Sequence, residues 1–76
     1  MGTTFKKEIA GLSVHYNGLF VAMIYPPNND RPTNPECYGL AYNNGRYEWY
    51  DRLRDARDAA RKITATKNYM GKVILS

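Results

Sequence analysis

An α+β fold, an antiparallel sheet of four to five strands with one helix packed on a face, follows from three features of the sequence. Two Asn-Gly pairs, Asn17-Gly18 and Asn44-Gly45, each sit between runs rich in β-branched and aromatic residues, the pattern of a tight hairpin. After Asp51 the apolar period lengthens from two to between three and four, which is the period of an amphipathic helix. Beyond Gly71 the short run KVILS supplies a final strand.

The order of elements begins at Gly11. In GLSVHYNGLFVAMIY, Asn17-Gly18 suits a two-residue type I′ turn, because both residues tolerate positive φ. That register sets Tyr16 opposite Leu19, Val14 opposite Val21 and Leu12 opposite Met23, with these six on one side and Ser13, His15, Phe20, Ala22 and Ile24 on the other. Pro26 to Glu36, rich in proline and asparagine, sustains neither a ladder nor a helix and is read as a surface loop. A second hairpin centred on Asn44-Gly45 sets Tyr42 opposite Tyr47 and Leu40 opposite Trp49, with Tyr38 beside them and Ala41, Glu48 and Tyr50 facing away. Leu53, Ala56, Ala60 and Ile63 then form the buried stripe of a helix of about thirteen residues. Asp51 is its expected N-cap, and Arg61 and Lys62 lie where the dipole favours cations. The last strand is expected to bring Val73 or Ile74 to the core.

With 76 residues, the chain has room for one core, so residues 1–76 are read as a single domain. One cysteine excludes a disulfide framework, and no charged-then-apolar leader opens the sequence; both point to the cytoplasm. The longest nearly apolar run, Leu19 to Tyr25, is far too short to span a bilayer, so no membrane partner is expected. A net charge of +4 favours polyanionic or acidic partners and excludes mimicry of DNA by a dense acidic face.

Catalytic sets are missing. The only histidine, His15, stands in mid-strand, and the only cysteine, Cys37, opens another strand, with nothing in the sequence to bring them together. Zinc needs about four ligands of this kind, so no metal site is expected. Asp51, Asp55 and Asp58 alternate with Arg52, Arg54, Arg57 and Arg61, which reads as a solvated ion-pair face. No glycine-rich phosphate loop precedes a helix, and no cofactor is expected. What remains is a surplus of aromatic and cationic side chains, the residue types that anchor interfaces. The expected partner-binding residues are Tyr38, Arg46, Tyr47, Trp49, Tyr50, Arg54, Arg57 and Arg61.

From Gly18 to Ile63, strands ending in RYEWYDRLRDARDAARKI resemble AP2-type and phage integrase arm-type DNA-binding domains, whose sheet enters the major groove with an alanine-rich helix behind it. Where those domains place dense cations on the sheet, this chain has only Arg46 and Arg31 nearby. In size and style the whole chain is similar to small phage-encoded anti-CRISPR proteins, commonly a bent antiparallel sheet with one helix and no active site. A third likeness is to small antitoxins that bind a toxin. The anti-CRISPR resemblance implies a stoichiometric inhibitor whose partner is a host protein or ribonucleoprotein complex that handles nucleic acid. Direct binding of nucleic acid, with Arg46, Arg54, Arg57, Arg61 and Lys62 on phosphates, is the alternative.

Overall fold

The computed structural model describes residues 2–76. Its elements run β1 (Thr3–Lys7), β2 (Leu12–Tyr16), β3 (Leu19–Tyr25), β4 (Tyr38–Tyr42), β5 (Tyr47–Tyr50), α1 (Leu53–Ala60), β6 (Ala65–Lys67) and β7 (Val73–Leu75). The first five strands form one antiparallel meander in chain order, and β6 and β7 pair separately. No helix among the described residues is long and apolar enough to cross a membrane.

The α+β class and the strand count of the main sheet agree with the sequence reading, but the fifth strand is at the other end. It is β1, paired with β2, and the C-terminal strand β7 leaves the sheet to form a hairpin with β6. Phe5 is the only large apolar residue of β1, and Lys6 and Lys7 close the strand. Such a polar edge strand protects the sheet from further pairing, and for the same reason it has no hydrophobic alternation to detect.

At Asn17 and Gly18, φ is 50° and 83°, the positive pair of a type I′ turn, and Tyr16 pairs with Leu19 as expected. Beyond them the register departs from the expected one. Val14 pairs with Ala22, Ser13 with Met23 and Leu12 with Ile24, because a β-bulge absorbs Val21. The extra residue lets Val21 and Ala22 both reach the interior, and it turns Ile24 inward and Met23 outward. Ile24 is 1% exposed, so the bulge puts a branched aliphatic in the core where a simple hairpin would put a methionine.

The second hairpin slips by one residue as well. Asn43, Asn44 and Gly45 form a three-residue loop, closed by Gly45 N–H to Tyr42 O (3.1 Å) and Tyr42 N–H to Arg46 O (2.8 Å), with Gly45 at φ 94°. This is a turn followed by a left-handed glycine, the common three-residue hairpin. Leu40 therefore pairs with Glu48, Ala41 with Tyr47 and Gly39 with Trp49. Tyr47 and Trp49 leave the face of Leu40, and Tyr50 and Glu48 join it.

One face of the sheet is covered. Val14, Val21, Ala22, Ile24 and Leu40 form the core with Ala56 and Ala60 of α1, with Ile63, and with Ala65 of β6. Ala56 and Ala60 are fully buried, the close helix-to-sheet contact their size permits. The helix itself is shorter than expected. Arg52, at φ −130° and ψ 146°, takes the N-cap position without a side-chain bond, and Arg61 is the C-cap. Asp51 is not the cap; its Oδ1 faces the Cys37 thiol at 3.7 Å. Ile63 is still buried, one turn past the helix. Of the two candidates on β7, Val73 packs against the core and Ile74 is exposed.

Candidate functional site

Neighbours across the ladders define the other face of the sheet: Thr4 with His15, Lys6 with Ser13, Ser13 with Met23, Met23 with Ala41, Tyr25 with Gly39, Ala41 with Tyr47 and Gly39 with Trp49. The helix and the β6–β7 hairpin pack on the core side, so this face is open. Phe20 (41% exposed) and Tyr47 (42%) stand on it, with Met23, Tyr25 and Trp49 half-buried around them. Its charges are Lys6 on the edge strand, Glu8 beyond it, whose carboxylate accepts the Ser13 hydroxyl at 3.0 Å, and Arg31 in the long loop.

Specific contacts hold the aromatics in place. His15 meets Phe20 edge-on at 5.8 Å between ring centres, and Tyr47 lies tilted against Trp49 at 4.7 Å. Gly39 leaves the space the Tyr47 ring occupies; a Cβ there would collide with the ring. Arg31 folds the loop over the end of this face. Its guanidinium donates to the carbonyls of Asn34 (2.7 Å), Cys37 (2.8 Å) and Pro26 (2.7 Å) and lies 4.8 Å above the centre of the Trp49 ring. The proline-rich loop is thus a structured rim.

The residues expected to bind a partner are divided between two sides. Tyr47 and Trp49 are on the open face, whereas Tyr38, Tyr50 and Arg46 are on the helix side. Arg46 is 66% exposed, pairs with Glu48 at 2.9 Å and lies over the Tyr42 ring. Arg57 and Arg61 both reach the Phe5 ring, at 4.7 and 5.3 Å, and tie the helix to β1. Arg61 also pairs with Asp58 at 2.8 Å, and Nε of Arg57 is buried without an acceptor. Arg54 is exposed and has no ion pair among the described residues. Of these helix arginines, Arg57 and Arg61 pack against Phe5 while Arg54 stays exposed.

Glu48 is the hub of a polar cluster at the sheet margin. Its carboxylate accepts hydrogen bonds from the hydroxyls of Tyr50 (2.7 Å) and Tyr42 (2.8 Å) and from Arg46. Those hydroxyls hold the carboxyl below its usual range. Burial first, then the bond to Glu48, pushes Tyr42 and Tyr50 up to about 12. The signs are opposite at the two ends of the pH scale. The Glu48 contribution is present above the ordinary carboxylate pKa and is lost as pH falls below that value through the lower folded-state one, whereas the tyrosine contribution is present below pH 10 and is lost between 10 and about 12. Stability measured by urea unfolding is expected to decline on both flanks, and Glu48→Gln to flatten the acid flank and weaken the alkaline one. An unchanged acid flank in that variant would show that the cluster is not coupled to folding.

Cys37 and His15 lie at opposite ends of the sheet, one ahead of β4 and the other beside the β2–β3 turn. Burial, with Glu36 and Asp51 nearby, raises the thiol pKa. Among the described residues, no three His, Cys, Asp or Glu side chains are grouped as a metal site.

Phe20, Met23 and Tyr25 were not among the expected binding residues. Phe20 carries a signal in the sequence, as an aromatic on the side opposite the six apolar residues, but Met23 and Tyr25, two residues apart on β3, are both placed outward only by the bulge. Neither a family model, nor a curated protein, nor a solved structure matches the chain.

Proposed function

We propose that this chain is a non-enzymatic binding protein whose open sheet face occupies a protein surface of a host complex that handles nucleic acid, in the manner of the phage-encoded inhibitors it resembles, in the host cytoplasm. The observation that carries this reading is the composition of that face. Phe20, Met23, Tyr25, Tyr47 and Trp49 form an aromatic and apolar centre, and the charges lie at its edge. Protein interfaces have this anatomy, a charge-poor centre rich in Tyr, Trp, Phe and Met within a polar rim. A surface built to read a duplex would carry cations at its centre. The face is also pre-organised by the Gly39–Tyr47 fit and by Arg31 above Trp49, which reduces the ordering cost of association.

In cells with an active RNA-guided nuclease, expression of the chain is expected to restore plating of a targeted phage, and Phe20→Asp or Tyr47→Asp to abolish that protection. A central anchor lost from such a face weakens binding by about 30-fold or more, near 2 kcal/mol. Both side chains are over a third exposed, so the variants should keep the wild-type melting temperature within a few degrees. Protection that survives both substitutions would refute the assignment of the face, and absence of protection by the wild type would refute the class of partner.

A further inference from the structure

The net charge of +4 lies entirely in the last quarter of the chain. Residues 2–58 carry seven cations and seven anions, whereas Ala59 to Ser76 contain Arg61, Lys62, Lys67 and Lys72 and no Asp or Glu. Arg61 is paired with Asp58, and the three lysines carry the other three of the four surplus charges; two of them, Lys67 and Lys72, flank the β6–β7 turn. At that turn Tyr69 is 97% and Met70 76% exposed, the largest exposures of any aromatic and any methionine among the described residues. The turn is tightly built. Asn68 Oδ1 accepts the backbone N–H of Met70 and of Lys72, each at 2.9 Å, Asn68 O accepts Gly71 N–H at 2.9 Å, and Gly71 adopts φ 82°. Ala65, Val73 and Leu75 root the hairpin in the core.

We infer that the β6–β7 hairpin is a nucleic-acid contact separate from the open sheet face, with the Tyr69 ring stacking on an unpaired base while Lys62, Lys67 and Lys72 neutralise neighbouring phosphates. Charge complementarity sets the partner: a local run of cations without any acid calls for a polyanion. A rigid tip that presents an aromatic plane suits stacking, which tolerates any base. An anionic membrane is the less suitable polyanion, because two side chains on a tight turn offer far less apolar area than an interfacial anchor buries.

Fluorescence anisotropy with a labelled oligothymidine tests this. Binding is expected to weaken with salt at a log–log slope of about −2, three phosphates on a single strand. Tyr69→Ala should lose about tenfold or more in affinity, Tyr69→Phe should keep it, and Lys67→Glu with Lys72→Glu should lower both affinity and slope. Phe20→Asp should bind the oligonucleotide at wild-type strength, which separates this contact from the sheet face. The inference is overturned if the oligonucleotide does not bind, if Tyr69→Ala binds as well as the wild type, if a blunt duplex competes equally, or if the chain sediments with phosphatidylserine vesicles and ignores the oligonucleotide.

Discussion

Ile24→Ala is expected to remove about 2–5 kcal/mol of stability, the usual result of truncating a fully buried aliphatic, whereas Met23→Ala should remove under about 1.5 kcal/mol. Ile24 is 1% exposed between Leu12 and Leu40 in the ladder, while its neighbour Met23 is half-buried on the open face. A domain of this size has about 4–11 kcal/mol in total, so the first substitution consumes a large fraction and lowers the melting temperature by about 10 °C or more. The pair of variants reads the bulge at Val21 directly. Without the bulge the two residues exchange faces, and the order of the two losses reverses. Equal losses, measured by urea unfolding, would be incompatible with the register.

For Arg31→Ala the expected loss is about 1–2 kcal/mol, since water can replace the donor at the exposed carbonyls of Asn34 and Pro26 but less readily at the part-buried one of Cys37. Three carbonyls, those of Pro26, Asn34 and Cys37, lose one common donor, and Trp49 loses the cation above its ring. Arg31→Lys should recover only part of this, because an ammonium lacks the planar fork that meets several carbonyls at once. Two readouts distinguish this staple from a simple surface charge: faster proteolysis within Pro26 to Glu36, and a changed Trp49 emission in a protein that remains folded. Full stability in Arg31→Ala, with the loop uncut, would show that the prolines alone order it.

Asn17-Gly18 determined its hairpin without help from the rest of the chain, since two residues able to hold positive φ suffice for a type I′ turn and the contact is local. The Ala56 and Ala60 stripe likewise announced both the helix and its close seat on the sheet. Local preference also allowed more than one outcome. Asn44-Gly45 fits a two-residue turn or the end of a three-residue loop, and the choice fell to packing: the observed register keeps Leu40 in the core, puts Glu48 where two tyrosine hydroxyls reach it, and sets Tyr47 over Gly39. The same competition placed the bulge at Val21, where one extra residue brings Val21, Ala22 and Ile24 inward together. Because side chains alternate along a strand, each one-residue choice moves every later residue to the opposite face. For that reason the aromatic surplus was legible in the sequence, but the surface it forms was decided only when the sheet closed over the helix.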